Sequence, residues 1–160
     1  MNKTAHKAAL VASAVSLKIS TREAPGYIDI TEEVARFVAE AGVFEGLVVV
    51  FSLHTTAAIK INEKEPLLMQ DITSFLEQLA PRNSCYRHNE FSIRTVNMSQ
   101  DECPNGHAHC LHWLLGTSEI IPIVSGQMML GQWQRIFLVE LDRPREREVV
   151  LQAFGLGGQP

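Results

Sequence analysis

Only three cysteines occur in the 160 residues, Cys85, Cys103 and Cys110, and no two of them form a Cys-x-x-Cys pair. An odd number without repeated spacing excludes a disulfide framework, and three free thiols point to a reducing cytoplasm. No apolar run approaches the roughly 20 residues needed to cross a bilayer, so no membrane association is expected. There is no excess of positive charge: the formal net charge is -4, which removes nucleic acid as an expected partner. The one basic stretch, Asp142-Arg143-Pro144-Arg145-Glu146-Arg147-Glu148, alternates with acids and reads as a local ion-pair network. Internal repeats, low-complexity linkers and glycine-rich phosphate loops are missing too. A single domain over 1–160 follows from the length.

What is present is an ordinary globular composition, 46% hydrophobic and 20% charged. The N-terminus, with early lysines and then Ala8-Ala-Leu-Val-Ala-Ser-Ala-Val, imitates a signal peptide. The alternation of Leu10, Ala12, Ala14 and Ser16 with Val11, Ser13, Val15 and Leu17 predicts a first β-strand instead. Thr31 to Gly42 carries an apolar stripe of Val34, Phe37, Val38 and Ala41, with Thr31 as expected N-cap and Gly42 as C-cap. Leu47 to Thr56 is apolar on both alternating faces and predicts a central strand buried on both sides. Ala57 to Asn62 continues extended. A second helix runs from Glu65 or Pro66 to Leu79, with Leu68, Ile72, Phe75, Leu76 and Leu79 as its buried stripe. Phe91 to Arg94 suggests a short strand, and His107 to Leu115 a third helix stopped by Gly116. Ile120–Val124, Met128–Leu130, Trp133–Leu141 and Arg147–Phe154 read as strands. Pro122 places its strand at an edge or a strand start. The expected class is α+β, a mainly antiparallel sheet or sandwich with about three helices.

Five of the six histidines invite attention. His54 ends the apolar strand, and His88, His107, His109 and His112 lie within 25 residues of one another. Neutral imidazole is the commonest metal ligand, and a catalytic zinc-type ion needs about three protein ligands plus an open position. His54, His88 and one of His107 or His109 would meet that need. His107 and His109 point opposite ways on a helix, while His109 and His112 share a face. Cys110 is a weaker candidate for a soft ligand. Two acids sit in apolar patterns and require a reason. Asp71 falls at the edge of the second helix's stripe, where it wants a cation, a metal or backbone donors. Glu140 lies on one face of its strand, where a nearby arginine is the expected partner.

These residues fall in an order that resembles one family. His54-Thr-Thr-Ala57, Asn62-Glu63, Asp71, Tyr86-x-His88, Asn105-x-x-x-His109, Leu130-Gly131-x-Trp133-Gln134 and Glu140-x-Asp142-x-Pro144-Arg145-x-Arg147 are similar to the YjbQ family, also called the secondary thiamine-phosphate synthase family. The likeness runs from about Ser16 to Gly155 and implies a small YjbQ-like α+β subunit assembling as a homotrimer. It implies a divalent metal, zinc or magnesium, held by His54, His88 and His109, so that His109 displaces His107. It also implies a small-molecule, phosphorylated substrate and the joining of a pyrimidine pyrophosphate to a thiazole phosphate. Within that reaction Arg145 would neutralise phosphoryl charge, and Asp71, Glu63 and Glu140 would support the site. Two other readings stand beside it: a non-catalytic metal- or ligand-binding trimer, and a metallohydrolase built on the same three histidines. Arg143 stands where the family tends to carry glycine, a change the turn tolerates where φ is negative.

Overall fold

The structure is a computed structural model that describes residues 9–158. The early lysines and Ala8 lie outside the described residues. The strand expected from the alternating N-terminal run is present as β1 (Leu10–Ser20). Then follow β2 (Gly26–Asp29), α1 (Thr31–Ala41), β3 (Val43–Ser52), β4 (Ala57–Glu63) and α2 (Pro66–Leu79). After a long irregular segment come α3 (Gly106–Leu115), β5 (Ser118–Val124), β6 (Gln127–Met128), β7 (Gln134–Glu140) and β8 (Glu146–Gly157). Every pairing is antiparallel, in a five-stranded sheet ordered β1-β8-β3-β5-β6 and a three-stranded sheet ordered β2-β7-β4. The α+β sandwich with three helices is therefore what the chain forms.

The layers follow from strand parity. Val48 and Val50 of β3, Ile121 and Ile123 of β5, and Val149, Leu151 and Ala153 of β8 point inward from the larger sheet. They meet Ile59 of β4 and Ile136 and Leu138 of β7, and α1 closes that core with Val34, Phe37 and Val38. The opposite face of the smaller sheet, with Ala58, Phe137 and Val139, is covered by Leu76 of α2 and by Ala108 and Leu111 of α3. The strand buried on both faces is thus β7. For β3 the expectation is corrected: Val48, Val50 and Ser52 are buried, but Phe51 on the other face is 40% exposed, because no layer among the described residues covers the outer side of the larger sheet.

Three further expectations change. Thr31 opens α1 but does not cap it. Its hydroxyl donates to Asp29 Oδ1 at 2.7 Å and accepts the Ile136 amide at 2.8 Å, which leaves nothing for a helix N–H. Of the stripe expected on α2, only Leu76 is buried; Phe75 and Leu79 are half exposed. The helix stands off the smaller sheet above a groove of about 230 Å³ lined by Ile61, Ile72, Leu115 and Phe137. Phe91–Ile93 is turn and Arg94 irregular, with no strand, since the Arg94 guanidinium gathers the carbonyls of His88, Val96 and Asn97 and winds the backbone around itself. The expected ends do hold elsewhere. Gly42 caps α1 in the left-handed region at φ 68°, and Glu65 caps α2 by accepting the Leu67 and Leu68 amides.

Candidate functional site

His88 and His109 come together from different elements. His88 sits in a single 3-10 turn, Arg87–Asn89, and His109 on the first turns of α3. The side chain of Asn89 binds the two elements, its Oδ1 accepting the Asn105 amide at 3.1 Å and the Gly106 amide at 2.9 Å. Those amides are unpaired donors of a helix start, so the turn is docked on the helix by the helix's own requirement. Tyr86 packs so tightly over the same point that a Cβ on Gly106 would stand 2.5 Å from the tyrosine Cβ. The two imidazoles then lie with centroids 4.5 Å apart and planes tilted by 60°. His88 Nε2 is buried and has no hydrogen-bond partner among the described residues. Burial, with the charges of His88 and Arg94 behind it, pushes His109 below the ordinary histidine range and favours a neutral ring.

The pair opens onto a cavity of about 710 Å³, lined also by Thr55, Arg87, Ile93, Arg94, Val96, Asn97 and Glu102. Arg94 and Glu102 form an ion pair at 3.3 Å, both largely buried, and Glu102 also accepts the Ser99 amide. That amide, together with Arg94, lowers the Glu102 carboxyl against the opposing effect of burial. Arg87 lines the cavity with no side-chain hydrogen bond or ion pair among the described residues.

The remaining expected site residues lie elsewhere. His54 is the neighbour of the cavity residue Thr55, but its ring turns toward β8, where Nε2 accepts the Glu148 amide at 2.7 Å. A neutral ring accepting at Nε2 carries its proton on Nδ1, so in this orientation neither nitrogen has a lone pair to offer. Burial, then the Arg147 charge, lower its proton affinity. Glu140 is completely buried and holds Arg147 through both carboxylate oxygens, at 2.5 and 2.7 Å, while also accepting from Thr21 and from the Asp142 amide. Burial alone would raise its carboxyl; these partners lower it. Arg145 is committed to Asp142 at 2.7 Å. Asp71 is exposed on α2, and Glu63 is half-buried at the end of β4. None of Asp71, Glu63, Glu140 and Arg145 lines the cavity. Among the described residues of one chain no three His, Cys, Asp or Glu side chains gather at one point.

His107 faces the other way on α3, beside Arg82 and Leu141, and is buried with neither ring nitrogen well paired. His112 Nε2 reaches Thr117 Oγ1 at 3.4 Å, and Cys110 is exposed. Asn89, Arg87, Arg94 and Glu102 went unrecognised in the sequence. The only signal for Asn89 was its place beside His88, since amide caps that act across 16 residues leave no local pattern.

Comparison with known proteins gives a consistent result. A family model described as UPF0047 protein YjbQ-like matches residues 15–156. A UPF0047 protein of Archaeoglobus fulgidus is 38% identical over 139 residues, 87% of this chain and 99% of its own length. The UPF0047 protein YugU of Bacillus subtilis is 31% identical over 142 residues, 88% and 98% of the two chains. Among solved structures, a YbjQ-like protein of unknown function from Sulfolobus solfataricus superposes with a TM-score of 0.83 at 32% identity, covering 92% of this chain and 99% of that one. A hypothetical protein of Aeropyrum pernix gives 0.73 at 36% identity, covering 92% and 98%.

Proposed function

Because the chain belongs to the YjbQ-like UPF0047 family, we propose that its His88–His109 cavity is the active site of a metal-dependent enzyme acting on a phosphorylated small molecule. The reaction we assign to it is of the thiamine-phosphate synthase type, in which a thiazole phosphate displaces pyrophosphate from a pyrimidine pyrophosphate. The observation that carries the reading is the imidazole pair at 4.5 Å with an unpartnered, buried Nε2 at the wall of an open cavity.

Two imidazoles suit a borderline ion of the zinc type; magnesium prefers oxygen donors, and the one carboxylate of the lining, Glu102, is already engaged. His88 and His109 would hold the ion, and His54 would join them if its ring gave up the Glu148 amide. Such an ion supplies Lewis-acid neutralisation of phosphoryl charge. The protein's own part is to keep the two rings fixed through Asn89, to hold the cavity wall through Arg94, and to present Thr55 and Asn97 as polar contacts to substrate. Glu140 and Arg147 act from below, fixing the start of β8 against which His54 rests. The resemblance and an uncovered apolar sheet face support a homotrimer. Three free cysteines support a reducing, cytoplasmic setting, and no helix among the described residues is long and apolar enough to cross a membrane.

Metal analysis of protein purified without chelators, paired with turnover of the two phosphorylated substrates, tests the reading. About one zinc-type ion per chain is expected in the wild type, with loss of metal and turnover in His88→Ala and a smaller loss in His54→Ala. Metal-free wild type with undiminished turnover would remove the metal from the reaction. Bound metal without turnover would favour the binding-protein reading.

A further inference from the structure

We propose that Arg87 is the anion-binding residue of the cavity and that it takes a phosphoryl group of the ligand, as monoester or pyrophosphate. The inference rests on the reading of this cavity as a site for a phosphorylated molecule, and it names the group that recognises the phosphate.

The argument is one of charge still free. Two guanidiniums line the cavity, and only one is available. Arg94 donates to Asn97 O at 2.6 Å and to Val96 O at 3.3 Å, and pairs with Glu102 at 3.3 Å. Its side chain is 13% exposed, so it is a staple of the loop and not a contact for solute. Glu102 is balanced by that same arginine. Of the two guanidiniums on the lining, the one that makes no ion pair or side-chain hydrogen bond among the described residues belongs to Arg87. Arg145, which the resemblance offered for this duty, is engaged with Asp142, and its neighbours Arg143 and Arg147 are engaged with Asp101 and Glu140.

Position makes the free charge more than a surface arginine. Arg87 precedes His88 in a 3-10 turn closed by the Asn89 and Glu90 amides and pinned to α3 by the Asn89 side chain. Its Cα therefore holds a fixed place relative to both imidazoles. Guanidinium is always charged and presents a planar fork that meets two phosphate oxygens at once. The Thr55 hydroxyl and the Asn97 amide on the same lining offer neutral donors. In a chain of net charge -4, a lone cation at a cavity is a local feature and not part of a basic surface.

The test is isothermal titration of inorganic pyrophosphate and of inorganic phosphate into the full chain after chelator treatment, so that no metal contributes. Wild type is compared with Arg87→Ala, Arg87→Lys and a control at an exposed cation elsewhere, Arg36→Ala. Loss of one charge-assisted contact weakens binding about tenfold or more. We expect that loss in Arg87→Ala, partial recovery in Arg87→Lys, and no change in Arg36→Ala, with the thermal midpoint unchanged throughout. Tighter pyrophosphate than phosphate binding identifies a diphosphate subsite, and equal binding a monoester subsite; both support the assignment. No binding by the wild type, or equal binding by wild type and Arg87→Ala, overturns it. Failure of the metal and turnover measurements leaves this result standing, and failure here leaves theirs.

Discussion

Asp29 shows how one side chain can organise three elements. At the end of β2 its carboxylate accepts from the Thr31 hydroxyl and amide, from Arg135 of β7 at 3.0 Å and from Lys64 at 3.1 Å. Burial alone would raise its carboxyl, but these donors win and hold it at about 2. A carboxylate depressed in the folded state contributes stability above its unfolded pKa and loses it as pH falls through the folded value. With the side chain 9% exposed, the shift corresponds to about 2 kcal/mol, lost between roughly pH 5 and pH 2. Urea unfolding of wild type and Asp29→Asn across that window checks it: the variant is less stable near neutrality, and the gap closes toward pH 2. A constant gap at every pH would show that Asp29 acts through packing and not through charge. Nothing in the local sequence marked this residue, because its partners are recruited from α1, β7 and the segment after β4. Glu140 was legible, since an acid inside Ile-Phe-Leu-Val-Glu must be paired and arginines stand seven residues on or fewer. The same logic could name the histidines as candidates but could not orient them. His54 keeps its place at the end of an apolar strand, yet its ring direction is decided by a β8 amide 94 positions away.

The helices and most strands were readable from period and punctuation: Gly42, Pro66 and Gly116 mark boundaries that the structure keeps. What could not be read was the segment between Pro81 and Asn105, which has no period because its one regular element is the single 3-10 turn Arg87–Asn89. Its backbone groups are met by Arg94 and Asn89 instead. The docking of this segment on α3 is therefore the element on which the candidate site depends, and Gly106 is its tightest point. A methyl group there must displace Tyr86, whose Cβ and Cγ would be 2.5 and 2.8 Å away. Overpacking of this kind costs about 1–3 kcal/mol. We expect Gly106→Ala to lower the thermal midpoint and, by moving Tyr86 and with it His88, to weaken metal binding. Asn89→Ala, which removes the cap and leaves the packing intact, should weaken metal binding at a smaller cost in stability. Full metal affinity in both variants would mean that the two rings do not depend on this joint.

At the scale of the molecule the unmet requirement is the outer face of the five-stranded sheet. Register aligns Ala12, Phe154, Leu47 and Pro122 in one row across β1, β8, β3 and β5, and Ala14, Gln152, Val49 and Ile120 in the next. Only Gln152 in these rows is polar. Phe154 is 41% exposed and Ile120 59%, with Phe51, Val124 and Leu156 open beside them. Monomeric proteins rarely leave so continuous an apolar surface in water. The valine-rich β3, apolar on both faces in sequence, has its second face uncovered by any layer among the described residues. This explains why sequence pattern and single-chain structure disagree there. A second copy is the expected cover, and heterologous contacts that close after three copies would hide the face on every subunit. Light scattering of the wild type at micromolar concentration should give three times the 17.8 kDa of one chain. Ile120→Lys combined with Phe154→Lys should give the single-chain mass with unchanged circular dichroism, since both side chains point away from the core. A wild type that runs as one chain, or an oligomer untouched by the double change, would place the contact elsewhere. Metal content of the dissociated variant then tells whether His88 and His109 suffice within one chain or need a donor carried in by its neighbour.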